Sequence, residues 1–270
     1  RYVTVMNSFG RFRRENELLW EEVDSDLMVE YETYLKSRGV CPNTSSYYMR
    51  GLRAIYNRAV EKGMTVQREP FKYVYTGIDK TIKRAVPLKV IRQIRDLDLT
   101  LFPTMDFARD IFMFSFYTRG MSFIDMAYLK KKDLQGGTLS YRRQKTGQQL
   151  FVKWEKPMQE IVDKYNTNGT PYLLPIIRDM NADIRRQYKN AAHLVNDKLK
   201  KLGEKLGLTV PLTSYVTRHG WASIARSRNI PLAIISEAMG HDSEKTTRIY
   251  LASLDTTSVD KANSRILKAL

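Results

Sequence analysis

One short stretch breaks an otherwise helical pattern, and it limits what this chain can fold into. Leu139, Tyr141, Arg143 and Lys145 alternate with Ser140, Arg142 and Gln144. Thr146-Gly147 then supplies a turn, and Leu150-Phe151-Val152 returns, which reads as a β-hairpin. Strand alternation would point Arg143 and Lys145 to the same face. The remaining periodic segments repeat at helical spacing. The expected class is therefore mainly α: a helical N-terminal domain followed by an α+β domain with a small antiparallel sheet. At 270 residues the chain suits two domains.

Three helices are expected at the N-terminal end: about Tyr2–Arg14, one capped by Asp24 or Ser25 and ending at Gly39, and one running from Cys41-Pro42-Asn43 to Gly63. Leu27, Tyr31, Tyr34 and Leu35 share one face of the second. In the third, capped by Asn43, the apolar stripe is Tyr48, Leu52, Ile55 and Ala59. Ser46, Arg50, Arg53 and Asn57 form a polar stripe on another face, which an ordinary solvated surface would also explain. Met64–Ala85 contains Pro70, Gly77 and mixed charge without a period, so it reads as a connection. The domains are drawn as 1–76, a linker at 77–84, and 85–270.

Beyond the linker, Pro87 opens a helix, and a strongly apolar helix covers about Phe107–Tyr117. A short one follows at about Phe123–Leu129. After the hairpin, Ile184, Tyr188, Ala191, Val195, Leu202 and Leu206 mark one long helix. Thr213 or Ser214 is expected to cap another reaching about Arg228, and Pro231 starts one that stops at Gly240. Short and terminal helices are expected at Ser243–Tyr250 and Thr257–Leu270.

Charge narrows the partner. Lys and Arg number 45 against 29 Asp and Glu, a net +16 with a pI near 9.8. Residues 1–76 carry only +2, so +14 falls on the C-terminal part, and nucleic acid is the first candidate partner. The longest apolar run, Ile111–Tyr117, is too short to span a membrane, and no secretory pattern opens the chain. Cys41 is the single cysteine, so no internal disulfide forms, which suits a reducing cytoplasm. One cysteine and three scattered histidines give no zinc spacing, no glycine-rich phosphate loop is present, and no arrangement of Asp110 or Asp125 demands magnesium. No metal and no cofactor are expected.

The motifs with chemical content lie near the C-terminus. Thr217-Arg218-His219 precedes Met239-Gly240-His241, Thr246-Thr247 follows, and Tyr250 stands nine residues after His241. With the Lys145-Thr146-Gly147 hairpin upstream, this order resembles the tyrosine recombinase (phage-type integrase) family. The resemblance spans both domains and implies a DNA breaking-rejoining fold with a core-binding domain ahead of a catalytic one. It implies that Tyr250 is the nucleophile that stores the cut bond as a 3′-phosphotyrosine ester. Arg218 would be the arginine of the family's His-x-x-Arg motif, His241 a donor to the phosphate, and Lys145 the acid beside the leaving oxygen. His219 would be structural support, and His193 neither. Arg50, Arg53 and Asn57 become the candidate DNA-binding stripe of the first domain.

Two positions depart from the family. Its His-x-x-Arg histidine falls on Tyr215, whose hydroxyl can donate a hydrogen bond but cannot become a cation. Its first arginine, in Thr-Gly-x-Arg-x-Ser-(Glu/Asp), falls on Ser122 when Asp125 and Leu129 are aligned. Arg143 is the preferred replacement, through its shared strand face with Lys145, and Arg119 is the alternative. The resemblance also implies a C-shaped clamp on double-stranded DNA and a monomer that becomes a homotetramer on DNA. DNA-bending accessory proteins are further partners. The helix bearing Val259, Ile266 and Leu270 would dock on a neighbouring protomer or cap its own core. An arm-binding domain often lies upstream, and a start at Arg1 leaves room for one. The expected function is site-specific recombination for a mobile element. Two readings stay open beside it: relaxation of DNA by a type IB topoisomerase-like enzyme, and a degenerate protein that only binds DNA.

Overall fold

The computed structural model describes residues 2–14, 16–79, 85–241, 243–244, 246–247 and 267. The chain divides into two compact units, Arg1–Thr81 and Ile82–Leu270.

In the first unit, α1 (Tyr2–Arg13), α2 (Ser25–Ser37) and α3 (Pro42–Glu61) enclose an aromatic core. Val5, Phe9, Met28, Tyr31, Leu35, Met49, Leu52 and Tyr56 are buried in it. Tyr31 is wholly buried, with Phe9 edge-on at 5.0 Å, and its hydroxyl donates to Ser8 Oγ at 2.8 Å. That bond satisfies the phenol inside the core, where burial pushes its pKa up to about 12. Gly51 lets α1 and α3 approach closely, since a Cβ there would stand 2.6 Å from Val5 Cγ2.

The caps divide between expectation and correction. Asp24 caps α2, accepting from Leu27 N at 2.8 Å. Asn43 does not cap α3: Cys41 holds the N-cap position and Pro42 begins the helix. Asn43 instead exchanges hydrogen bonds with the Asp79 backbone, at 3.0 and 2.8 Å. The connection expected from Met64 is, over 64–79, a strap folded into this unit. Phe71 and Val74 enter its core, and Ser46 Oγ donates to Gly77 O at 2.6 Å. Tyr75 N donates to Glu32, and Tyr56 Oη to Val66 O. Side chains, not a backbone ladder, satisfy the strap, which leaves no period to read. The core face of α3 is accordingly Met49, Leu52, Tyr56 and Ala59, while Tyr48 is only half-buried.

The second unit is built on α5 (Pro103–Tyr117), apolar nearly all round and surrounded by α4 (Leu88–Arg95), α7 (Lys156–Asp163), α8 (Ile184–Lys205) and α9 (Val216–Ser227). Ile111, Phe112 and Phe114 are wholly buried, and each such side chain contributes about 1.5–3 kcal/mol by leaving water. Asp110 on the same helix is buried, but Arg109, Lys164 and the Tyr165 hydroxyl all bind it, so its charge is compensated by protein groups. The unit also holds the short helices α6 (Phe123–Ala127) and α10 (Leu232–Ala238). The sequence reading did not include α7, nor the irregular stretch after it that buries Tyr172, Leu174 and Ile177.

The sheet has three antiparallel strands in the order β1 (Leu134–Gln135), β2 (Thr138–Arg142), β3 (Gln149–Lys153), with Leu139 opposite Val152 and Tyr141 opposite Leu150. β1 is an addition to the expected hairpin. β2 stops at Arg142, so Arg143 and Lys145 lie in the turn and strand alternation does not set their faces. The shared-face argument fails there: Arg143 is buried and Lys145 exposed. Thr213 and Ser214 do not cap α9 with their side chains. Asn196 on α8 holds Ser214, and Tyr215 takes the N-cap position. No helix among the described residues is long and apolar enough to cross a membrane.

Candidate active site

The site forms where α9, the turn after α10 and the β2–β3 turn meet. Arg218 lies in the first turn of α9, only 5% exposed. Its Nη1 donates to Gly120 O at 3.0 Å, and its Nη2 to Met239 O at 2.5 Å. Gly120 (φ +75°) permits this seat, because a Cβ there would stand 2.6 Å from Arg218 Cα. Beneath it Ser115 Oγ donates to Met121 O and meets Thr217 Oγ1, both at 2.7 Å, tying α5 to α9 in a dry interior.

Met239 ends the helical turn, and Gly240 (φ +61°) turns the chain so that His241 faces Arg218. Arg218 Nη2 lies 3.1 Å from His241 Nε2 and can only donate, so Nε2 accepts and the ring proton sits on Nδ1, which faces Thr247 Oγ1 at 2.7 Å. Burial, then the charges of Arg218, Arg143 and Lys145, hold the imidazole down at about 4. His241 is thus neutral at pH 7.

Arg143 reaches the same place from the hairpin. It is 6% exposed and its Nη1 donates to Gly240 O, next to the Met239 carbonyl that Arg218 uses. Two guanidinium groups therefore converge on three consecutive residues, Met239, Gly240 and His241, the last of which supplies an imidazole. Such a cluster is suited to an anion. Tyr141, buried beside Asp125 and within reach of the charges of Arg218, Arg143 and Arg119, is raised far above the usual phenol range by its burial.

The other expected residues lie as follows. Lys145 is exposed on the turn, near enough to act on His241. Tyr215 is 54% exposed, its ring edge-on to His219 at 4.9 Å. Ser122 caps α6, donating to Asp125 Oδ2 at 2.6 Å, and Asp125 Oδ1 accepts from Gln144 N at 2.8 Å. No guanidinium occupies that position. Arg119, half-buried with φ +62°, has no side-chain hydrogen bond among the described residues. Tyr250 and the segment carrying Val259, Ile266 and Leu270 lie outside the described residues. In the first unit Arg53 and Asn57 are exposed and Arg50 half-buried. Arg53 leans on Thr76 at 3.4 Å and Arg50 on its own helix at Ser46 O, 3.4 Å. Among the described residues no group of three or more His, Cys, Asp or Glu is placed to hold a metal ion.

Sequence reasoning missed Gly120, Ser115 and the role of Thr247. Thr247 had a signal, its place in the Thr-Thr pair, but its hydrogen bond to the histidine is a tertiary fact.

Residues 1–81 match the phage integrase SAM-like domain, and residues 102–257, more than half the chain, match the phage integrase family. The chain belongs to the phage integrase family of tyrosine recombinases. This recombinase is an enzyme that breaks and rejoins DNA strands in site-specific recombination. It is 23% identical over 263 residues to tyrosine recombinase XerA of Pyrococcus horikoshii, covering 85% of this chain and 90% of that one. It is 25% identical over 276 residues to XerC of Syntrophus aciditrophicus, covering 93% and 85%. Its fold is that of XerH bound to palindromic difH (TM-score 0.73, 15% identity, 97% of this chain and 78% of that one). The Tn1549 transposon integrase in complex with transposon end DNA shares it too (TM-score 0.66, 14% identity, 98% and 92%). So does a lambda integrase dimer on a core site (0.69, 14%, 94% and 89%).

Proposed function

We propose that this recombinase is the integrase of a mobile element and cuts double-stranded DNA through Tyr250, with Arg143 in place of the family's first arginine. The convergence of Arg143 and Arg218 on the adjacent carbonyls of Gly240 and Met239 carries the reading. Two guanidinium groups beside a half-buried histidine can spread the charge that builds on the nonbridging oxygens of a five-coordinate phosphorus. Ser122 cannot, being short, neutral and engaged as a cap.

In this mechanism the Tyr250 oxygen attacks phosphorus as its proton leaves to solvent. The phosphorus–5′-oxygen bond breaks, and Lys145 gives its proton to the departing oxygen. A 3′-phosphotyrosine and a 5′-hydroxyl result. Attack by a 5′-hydroxyl of the partner strand reverses the chemistry without external energy. His241 holds Arg218 and becomes a phosphate donor once a proton moves to Nε2. Tyr215 supplies a neutral donor at the rim. Arg50, Arg53 and Asn57 contact DNA from the first unit. A homotetramer on DNA is the working form, which the lambda integrase tetramer on a Holliday junction supports by analogy of fold.

The test is covalent trapping on a nicked suicide duplex carrying the cognate site. Wild type accumulates a protein–DNA adduct, Tyr250→Phe gives none, and Arg143→Ala gives none while still binding the duplex. An adduct with Tyr250→Phe overturns the nucleophile. Normal trapping by Arg143→Ala overturns the replacement, and Arg119 is then next.

A further inference from the structure

Three buried polar atoms in the β2–β3 turn have no hydrogen-bond partner among the described residues: Arg143 Nε, Thr146 Oγ1 and Gln148 Oε1. An unpaired buried polar group costs about 1–3 kcal/mol, so three within six residues call for a partner. Two of them are complementary, since Arg143 Nε is a donor and Gln148 Oε1 an acceptor. Both side chains press on one point. A Cβ on Gly240 would stand 2.7 Å from Arg143 Cδ and 3.1 Å from Gln148 Oε1. Their backbones are already joined, Arg143 N donating to Gln148 O at 2.9 Å. Donor and acceptor therefore flank the same glycine on one tied turn.

We propose that Gln148 is the positioning residue for Arg143: its carboxamide oxygen accepts Arg143 Nε–H when DNA occupies the site. The donor inventory gives this pairing its purpose. A guanidinium has five N–H groups. Gly240 O takes one from Nη1, and Gln148 would take Nε–H. With Nε–H so held, the terminal edge of the group, one proton of Nη1 and one of Nη2, is the edge turned to two phosphate oxygens, provided Gly240 O takes the other Nη1 proton. Without Gln148 the planar group is held at one nitrogen only and can swivel about that contact. Gly240 is needed because any side chain would occupy the place where the pair meets. The inference rests on the proposed role of Arg143, and a separate result tests each.

The experiment compares Gln148→Met, which keeps length and loses the acceptor, with Gln148→Glu, which keeps an acceptor oxygen. Single-turnover trapping on the suicide duplex is measured beside DNA affinity. Gln148→Met is expected to slow cleavage by about tenfold to a hundredfold, the scale of a catalytic group misplaced by about an ångström, with affinity within about twofold of wild type. Gln148→Glu is expected to lie nearer wild type than Gln148→Met. A wild-type rate in Gln148→Met overturns the proposal. So does equal slowing in both variants, or an affinity that falls in step with the rate. Arg143→Ala inactive with Gln148→Met normal removes only the orienting role, whereas normal cleavage by Arg143→Ala removes the reading beneath it.

Discussion

The two arginines of the site are seated in opposite ways. Arg218 rides on the first turn of a helix that Ser115 and Thr217 tie to the core, and two carbonyls from separate loops hold its guanidinium. Arg143 sits in a turn between strands, its side chain bonded to Gly240 O and its Nε without a partner among the described residues. The first seat is finished before DNA arrives; on the proposed reading, the second is completed by it. A preformed seat spends its ordering entropy in folding, whereas an adaptable one spends it on binding and can be made to respond to the correct partner. In the proposed mechanism the pair divides the work, Arg218 fixing where the phosphate goes and Arg143 closing on it.

The rigidity of the first seat can be broken at Gly120. Adding one methyl group places carbon 2.6 Å from Arg218 Cα and 3.0 Å from Arg218 Cβ, at a backbone φ of +75°. Backbone strain and overpacking together should cost about 2–4 kcal/mol, the largest effect expected of any variant named for this comparison. Gly120→Ala should melt well below wild type, and adduct formation should fall even at temperatures where it is folded. An unchanged melting point would mean that α9 can slide away from the loop and that Arg218 is not locked.

Ser122 sharpens the comparison from the other side. The resemblance sets it where the family has its first arginine, yet its hydroxyl is spent on Asp125, whose other oxygen receives the Gln144 N–H from the hairpin turn. Ser122→Ala removes a helix cap and should lower stability by about 1 kcal/mol. Cleavage should stay within about twofold of wild type, since no catalytic contact is lost. A large drop in trapping rate with a normal melt would give Ser122 a chemical role and weaken the case for Arg143.

The same contrast explains what could be read from the amino-acid order. Arg218 and His241 were legible because their neighbours in the chain, Thr217 and Gly240, belong to the same short motifs. The helices of both units were legible because apolar side chains recur at their period. The strap at 64–79 was not, because its hydrogen bonds run to side chains on α2 and α3, far away in sequence. Arg143 was picked out for a reason that fails, strand alternation past the end of β2. It reaches the site through a tertiary approach of the turn to Gly240 that no local pattern encodes. Gly120 was visible as a residue, but the need for a glycine appears only once Arg218 Cα lies against it.

The smallest expected effect concerns His241, which both seats share. Burial first, and the three neighbouring cations second, depress its pKa from 6.5 to about 4. The folded chain therefore resists a proton that the unfolded chain accepts between these values. Stability from this group is complete above pH 6.5 and is lost as pH falls toward 4. Because the ring is only half-buried, solvent screening limits the loss to under about 1 kcal/mol. His241→Gln, which cannot titrate, should flatten that part of the melting-temperature profile and leave the carboxylate-driven decline at lower pH. Binding of a DNA phosphate should shrink the same slope, since an anion beside the ring offsets the charges of Arg218, Arg143 and Lys145 and lets the imidazole take a proton at higher pH. An unaltered slope in His241→Gln would place the titration elsewhere. A slope that DNA leaves untouched would mean that the phosphate does not reach the histidine, and the two arginines would then have to close on it without their common neighbour.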